Sequence, residues 1–401
     1  MNHKLLTQGL LAASIALAAS AQAADVRING FASIAAGKSF SQDTSTGTLN
    51  NGDKSTYRID PTNVSNANSG YDDDVNFNPD SNYGIQFSSD LGNGLSVTAQ
   101  LTGKGSNDYE AELEWAYASY ELNDEWTVQG GRMRLPLYHY SDFLDVGYAY
   151  HWLRAPVDVY AEGISIYQGL ALRYNTTLGN WDFSSSLHYG NGGNDDSDIG
   201  DLYLDDYFGL VINATYDWLQ LRISQHRVEH YVDGLADIAP AAKAAQYGAN
   251  TFLATDDDPA DIIFTTAAAF AHFDQLFLGA EFTDLQMPDD EKLLVSANAP
   301  FQTEERQAYM LTAGYRMGSL TPHVTYTERV VTFGDSQQLG AANKELASSS
   351  IIVGLRWDFH PAAAIKFEYA DRSDDSDDEV KTLLGNSNEV SNFAIGLDVI
   401  F

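Results

Sequence analysis

The chain has 401 residues, no cysteine, 12% aromatic residues and a formal net charge of −34 at pH 7. This charge argues against nucleic-acid binding, because contacts with phosphates need clustered Lys and Arg. Without cysteine the chain has no disulfides, no thiol chemistry and no thiolate metal sites. The aromatic content argues against a disordered acidic chain, which would contain few rings.

The first residues predict export. Lys4 precedes an apolar stretch over residues 5–20, and Ala21-Gln22-Ala23 matches an A-x-A cleavage site. This arrangement is typical of a secretory signal peptide rather than of a transmembrane helix. We therefore expect residues 1–23 to be removed after Ala23, and residues 24–401 to form one domain.

The rest of the chain alternates with a period of two. No later segment has the roughly 18 apolar residues that a membrane-spanning helix needs. Instead, short runs place an apolar side chain at every second position, as at Leu95 and Val97, and Gly92-Asn93-Gly94 before them suits a tight hairpin turn. Such alternation predicts strands with two unlike faces. We count about sixteen such strands, and the connections between them alternate between short turns and long acidic loops.

The terminal strand points to a membrane. Residues 391–401 alternate in the same way and end on Phe401. An unpaired apolar strand would make a soluble protein aggregate, whereas the last strand of an outer-membrane barrel pairs with the first and meets lipid on one face.

The predicted fold is therefore all-β: a transmembrane antiparallel β-barrel of about sixteen strands, with short periplasmic turns and long extracellular loops. Only helices and closed barrels satisfy their backbone groups in lipid. A secreted β-sandwich shows similar alternation, but the signal peptide, the terminal strand and the loop asymmetry together favour the barrel.

Residues 131–162 do not show the pattern of alternating strands joined by turns. The segment follows the fifth predicted strand and carries seven aromatic side chains: Tyr138, Tyr140, Phe143, Tyr148, Tyr150, Trp152 and Tyr160. Its charged residues are Arg132, Arg134, Asp142, Asp145, Arg154, Asp158 and Glu162. Exposed loops are usually small and polar, so we expect this loop to fold into the pore and pack against the lumen wall.

These features resemble the general porins of Gram-negative bacteria, which are trimeric 16-stranded outer-membrane barrels. The resemblance covers the whole mature chain, and its sharpest element is the long loop after Gly131-Arg132. The Pro-Glu-Phe-Gly turn of enterobacterial porin loops is absent.

The resemblance implies that the third extracellular loop narrows the pore and that its acids face bases on the opposite wall. The expected constriction set is Arg132, Arg134, Asp142, Asp145, Arg154 and Asp158. It also implies a homotrimer in the outer membrane, surrounded by lipid and lipopolysaccharide, and recognition of Phe401 by the barrel-assembly machinery.

Charged strand residues are expected to line the lumen. The set that lies opposite the apolar stripe is Arg173, Arg222, Arg356, Lys366 and Glu368. A charge on the lipid face costs about 2–4 kcal/mol at the midplane. Opposed acids and bases across a narrow aqueous gap would set up a transverse field. The alternative is that each charge is only a solvated lumen residue.

Four acidic runs fall in predicted external loops: Asp72-Asp73-Asp74, Asp195-Asp196-Ser197-Asp198, Asp256-Asp257-Asp258 and residues 374–379. Carboxylates bind Ca²⁺ and Mg²⁺ through oxygen, but none of the runs completes an EF-hand frame. We favour solvated acidic loops that attract cations to the mouth, with weak Ca²⁺ or Mg²⁺ binding as the alternative. No other cofactor is expected.

The sequence predicts a channel and not an enzyme, since it contains no G-x-S-x-G, H-E-x-x-H or phosphate-binding glycine motif. The first hypothesis is a porin for passive diffusion of small hydrophilic solutes and ions, with a mild cation preference. The second is a channel selective for sugars or aromatic solutes, which would use Tyr138, Tyr140, Tyr148 and Trp152 as a track. The third is a receptor or adhesin barrel that does not conduct.

Overall fold

The computed structural model describes residues 25–40, 57–58, 70–160, 165–194, 202–232, 252–253, 259–287, 292–293, 303–333, 344–378, 381 and 389–401. The predicted signal peptide lies outside these residues. So do Glu162 and the acidic runs at residues 195–198 and 256–258.

Sixteen strands form one closed barrel in which every neighbouring pair is antiparallel. They are β1 (Val26–Phe40), β2 (Asn82–Gly92), β3 (Leu95–Lys104), β4 (Glu112–Glu121), β5 (Trp126–Arg134), β6 (Ile166–Leu178), β7 (Trp181–Asn194), β8 (Leu202–Tyr216), β9 (Leu219–Val232), β10 (Ala260–Phe273), β11 (Leu276–Gln286), β12 (Thr303–Tyr315), β13 (Leu320–Phe333), β14 (Lys344–His360), β15 (Ala363–Asp374) and β16 (Val390–Ile400). The predicted all-β barrel and its strand count are confirmed.

The connections alternate between short and long. Tight turns join β2 to β3, β6 to β7, β8 to β9 and β10 to β11, and Asn93 in the first of them has a positive φ of 53°. The opposite end of the barrel, which we call the loop end, carries the longer segments. Two short strand pairs lie outside the barrel, Tyr57–Arg58 with Gly70–Tyr71 and Phe252–Leu253 with Lys292–Leu293.

The two faces of the wall differ as the alternation predicts. Outward positions carry large apolar side chains such as Leu170 and Ile34, which are 61% and 58% exposed. Inward positions on β13 carry buried hydroxyls such as Thr325 and Thr327. The apolar surface therefore faces outwards, and the polar surface faces the lumen.

The barrel closes between β1 and β16, where Phe31 lies opposite Ile400. Beyond that pair, the backbone N–H of Gly30 donates to the carbonyl of Phe401 at 2.8 Å, and the N–H of Phe401 donates back at 3.0 Å. The expected pairing of the terminal strand with the first is therefore confirmed.

The main apolar core lies inside the barrel. Trp152 and Val159 of the segment between β5 and β6 pack with Phe270, Met310 and Ile352 of the wall. The same segment contains two single turns of 3-10 helix, Ser141–Phe143 and Gly147–Ala149. In the described part of the chain, no helix is long and apolar enough to cross a membrane.

Candidate functional site: the loop inside the barrel

The segment after β5, which we call the inner loop, runs through the lumen. Because β5 extends to Arg134, the loop begins at Leu135 rather than at Gly131, and it is described as far as Tyr160. Gly131 is a strand residue with φ of 140°, and a β-carbon there would lie 2.3 Å from the carbonyl oxygen of Ala116. Glycine is thus needed where β5 approaches β4.

Lys366 of β15 holds the middle of the inner loop. Its ammonium donates to the carbonyls of Gly147 at 2.6 Å and Trp152 at 2.5 Å, and it pairs with Asp398 of β16 at 2.8 Å. Both charged side chains are almost fully buried. Lys366 lies on the inward face of the wall, where it contacts loop backbone rather than open water.

Arg356 and Glu368 hold neighbouring loop residues in the same way. Arg356 donates to the carbonyls of Tyr148 and Tyr150, both at 2.7 Å. The carboxylate of Glu368 accepts the backbone N–H of Leu153 at 3.0 Å. Three of the five predicted wall residues therefore fix the loop against β14 and β15.

Asp158 anchors the far part of the inner loop to the wall. It accepts hydrogen bonds from Thr327 and Ser350, both at 2.6 Å, and pairs with Arg372 at 3.2 Å. Burial alone would raise the pKa of Asp158, but Arg372 and the hydroxyl donors lower it below its usual value. Asp158 is thus a buried anion with its charge satisfied.

Asp145 is also buried, and its partners lie on its own side of the barrel. Arg134 hydrogen-bonds both Asp145 and Glu114, and Lys104 pairs with Asp145 at 3.2 Å. Burial acts to raise the pKa of Asp145, but Arg134 and Lys104 lower it below its usual value. The structure therefore differs from the expectation that Asp145 faces bases across an open gap.

Arg154 reaches a second segment that enters the barrel, residues 70–81. It pairs with Asp80, which also accepts the hydroxyl of Tyr71 at 2.7 Å, and its guanidinium lies 5.6 Å from the centre of the Tyr71 ring. Neither Asp80 nor Tyr71 could be recognised from the sequence, because residues 70–81 resemble one more acidic external loop.

The beginning of the inner loop contacts the opposite wall. Glu281 of β11 accepts the backbone N–H of His139 at 2.8 Å and the hydroxyl of Tyr160. The His139 ring stacks on Phe270 at 4.2 Å, and burial lowers the pKa of His139 to about 4. His139 is therefore neutral at pH 7 and adds no charge to the lumen.

Asp142 and Arg132 complete the predicted constriction set. Asp142 is exposed inside the lumen and attracts Arg222 of β9. Arg132 is half-buried, and the strand register puts it beside Gln168, on the face that carries Leu170. Its Nε donates to the carbonyl of Leu113. Arg132 thus lies on the outer face of the wall, which corrects the expectation that it faces the constriction.

The aromatic residues of the inner loop mostly pack against one another. Trp152 is fully buried and donates from Nε1 to Thr325 at 2.8 Å, and Tyr138 is 4% exposed. Tyr140 lies edge-on to Trp152, with ring centres 5.4 Å apart. Tyr148 is partly exposed and donates its hydroxyl to the carbonyl of Pro361. The predicted solute track is therefore contradicted at Tyr138 and Trp152, whose rings are out of reach of a passing solute.

The lumen wall formed by β5–β9 is partly exposed towards the turn end, whereas its loop-end part is covered by Leu137 and Tyr138 of the inner loop. Arg173 and Arg222, the other two predicted wall residues, are partly exposed there. At the turn end of these strands is a recess of about 600 Å³. Its lining is mostly polar and consists of Asp124, Glu125, Asn175, Thr176, Thr177, Asp182, Phe183, Ser184 and Thr215. Water and solutes therefore have access to this wall from the turn end.

Metal binding has no preformed site among the residues that the structure describes, where no group of three or more His, Asp or Glu side chains is placed to hold an ion. The acidic runs at residues 195–198 and 256–258 lie outside them. Weak Ca²⁺ or Mg²⁺ binding at external loops stays a prediction.

Comparisons with known proteins show the fold. Neither a family model nor a curated protein matches the sequence. Among solved structures, OmpF of Salmonella typhi, in complex with daunomycin, superposes with a TM-score of 0.59 at 13% identity, over 94% of this chain and 98% of that one. The outer membrane channel DcaP of Acinetobacter baumannii gives 0.57 at 13% identity, over 94% and 97%. OmpT of Vibrio cholerae, in a trimer form, gives 0.52 at 11% identity, over 95% and 100%.

Proposed function

We propose that this chain, which has the fold of the 16-stranded general porins of Gram-negative bacteria, forms a channel through which small hydrophilic solutes and ions diffuse passively across the outer membrane. The observation that carries the proposal is the inner loop. It lies within the barrel, is fixed by lumen-facing charges such as Lys366 and Asp398, and leaves the turn-end part of the wall along β5–β9 partly exposed. A loop held in this way narrows a passage without filling it.

The channel is mildly cation-preferring in this proposal. Asp142 stands exposed on the inner loop, and Asp124, Glu125 and Asp182 line the recess at the turn end. Carboxylates at a mouth and along a narrow gap raise the local concentration of cations. The acidic external loops act in the same direction.

The protein is exported with cleavage after Ala23 and sits in the outer membrane as a homotrimer, in contact with lipid and lipopolysaccharide. The outward apolar surface suits this location. OmpT of Vibrio cholerae, which shares the fold, has been solved as a trimer. The barrel-assembly machinery would recognise Phe401, whose side chain is 72% exposed.

A second candidate is a barrel that does not conduct and acts as a receptor or adhesin. The dense packing of Trp152, Leu153 and Val157 against the wall favours this reading, because it closes a large part of the lumen. The sugar-selective channel loses support, since Tyr138 and Trp152 are buried.

Single-channel recording in planar bilayers separates these functions. Purified protein should give discrete steps in KCl, and the reversal potential in a salt gradient should show a small excess of K⁺ over Cl⁻. Absence of steps from protein that is folded and resists SDS would reject the channel and leave the non-conducting barrel. Block by micromolar sugar would instead restore the selective channel.

A further inference from the structure

Two arginines of the lumen differ from six other bases of the barrel in having no ion pair with any described residue. Six bases on the wall or the inner loop each have a carboxylate within salt-bridge distance: Lys104, Arg134, Arg154, Arg356, Lys366 and Arg372. Arg173 and Arg222 have no such partner among the residues that the structure describes, although both point into the lumen.

Arg173 is oriented by hydrogen bonds that leave its charged end free. Its Nε donates to Oε1 of Gln129 at 2.6 Å, and Nε2 of Gln129 donates to Ser119 at 3.0 Å. The two terminal amino groups, which carry four N–H donors, have no partner in the described part of the protein. An arginine held at Nε in this way presents a planar pair of donors, which fits the two oxygens of a carboxylate.

Arg222 adds a second positive charge to the same wall. Its Nη1 donates to Asn213 at 3.3 Å and its Nη2 to the carbonyl of Pro136, while its Nε is buried with no partner. Strand spacing puts the backbones of β6 and β9 about 14 Å apart along the wall. Asp142 and Glu281 attract Arg222 from a distance without forming an ion pair.

Between the two arginines the wall is polar except at the buried Val211, which lies beside Ser186. Ser186 lies directly beside Arg173, and Asn213 lies between Ser184 and Arg222 in the strand register. Ser184 also lines the recess at the turn end, so the wall is open to solutes from that side. A partly desolvated arginine without a counterion is costly, and an oxyanion bound there would remove that cost.

We propose that Arg173 and Arg222, with the hydroxyls of Ser184 and Ser186, form a binding site for small organic anions that carry carboxylate groups. Arg173 contacts the carboxylate with both terminal amino groups, and Arg222 supplies the second charge. The site rests on the proposed channel function only in that the solute enters from the lumen. It is compatible with a mild cation preference, because the acids at the mouth act on all ions whereas the Arg173 donors select for geometry.

Direct binding tests the site without need of conduction. The full chain in detergent is dialysed to equilibrium against radiolabelled malonate at low ionic strength. Arg173→Gln should weaken malonate binding about tenfold or more. The reason is that hydrogen bonds from a charged group to a carboxylate change the dissociation constant by at least about tenfold. Arg173→Lys should be intermediate, because it keeps the charge but loses the planar donors.

Two controls make the result specific. Arg27→Gln removes the same charge from an exposed position on β1 and should leave malonate binding unchanged. Malonamide has a similar shape without charge and should not compete. The site is rejected if native protein does not bind malonate, if Arg173→Gln binds as well as native, or if Arg27→Gln weakens binding as much.

A recording in bilayers distinguishes this site from the channel itself. If the protein conducts, millimolar malonate should reduce the chloride current of native protein and not that of Arg173→Gln. If native protein and Arg173→Gln both conduct and malonate reduces neither chloride current, the site is rejected and the channel is kept. A protein that binds malonate but shows no conductance would reject the channel and keep the site.

Discussion

The ring of Phe401 covers Gly30 on the outer face of the barrel, where the two residues also exchange both backbone hydrogen bonds. A β-carbon at Gly30 would lie 2.3 Å from the Phe401 ring, so no larger residue fits while the ring stays in place. Glycine in a strand weakens it by exposing the backbone, and the aromatic ring shields that backbone here. The last residue pair of the ladder therefore depends on the absence of a side chain at Gly30 and on the ring of Phe401.

We predict that Gly30→Val destabilises the closed barrel by about 1–3 kcal/mol, the usual cost of overpacking. Urea unfolding in detergent, followed by mobility on gels without boiling, measures the change. In a Phe401→Ala background the same substitution should cost much less, because the ring it displaces is gone. Equal costs in both backgrounds would show that the clash with Phe401 is not the cause.

Lys366→Met should release the middle of the inner loop. The substitution leaves the buried Asp398 with only the Ser33 hydroxyl as a donor and no counterion, which costs about 3–5 kcal/mol, and it removes the donors to two loop carbonyls. We expect a lower urea midpoint and a larger single-channel conductance. The double variant Lys366→Met with Asp398→Leu should regain stability but keep the raised conductance. A native conductance in both would mean that Lys366 does not hold the loop.

Much of this architecture could be predicted from the sequence because it follows from local alternation. The apolar stripe that includes Phe393 and Ile395 marks the outward face, and the same period marks Lys366 and Glu368 as inward. The rings of the inner loop, such as Trp152, signalled a loop that must pack inside. These features need no knowledge of which strands face each other.

The pairing inside the lumen could not be predicted, because it joins residues far apart in the sequence. Asp398 with Lys366 and Asp80 with Arg154 depend on how far each loop reaches across the barrel. Alternation places an acid on the inward face but does not say whether a base neutralises it. For this reason Asp142 and Asp145 looked equivalent in sequence, although only Asp142 is exposed.

Asp142→Asn and Asp145→Asn should therefore have different effects. Asp142 is exposed in the gap, so its replacement should reduce the K⁺ over Cl⁻ preference and leave the urea midpoint unchanged. Asp145→Asn leaves Arg134 without one of its buried partners and should cost about 3–5 kcal/mol. Reversal potentials and urea unfolding of both variants give the comparison. If selectivity follows Asp145 instead, the constriction lies on the other side of the loop.

Stability should fall at acidic pH in part through Asp145. Because Arg134 and Lys104 lower the pKa of Asp145 against the effect of burial, its folded pKa lies below the unfolded value of about 3.9. The ionised Asp145 then contributes fully to the free energy of unfolding above about pH 4. This contribution is lost as the pH falls through the folded pKa. The urea midpoint of native protein should drop more between pH 6 and pH 3 than that of Asp145→Asn, in which position 145 does not titrate. Parallel curves for the two proteins would assign the acid sensitivity to other carboxylates, such as Asp158.

Trp152→Ala tests whether the inner loop limits the flow of ions. Trp152 is fully buried and donates to Thr325, so its truncation leaves a cavity in the lumen and should cost about 3–5 kcal/mol. In a conducting barrel the cavity should widen the passage and raise the single-channel conductance. The matched control is Trp357→Ala on β14, an outward ring that is 42% exposed, which should leave conductance unchanged. Conductance that appears only in Trp152→Ala would indicate that the native barrel is closed and would favour the receptor function. A value equal to native would place the narrowest point of the channel away from this ring.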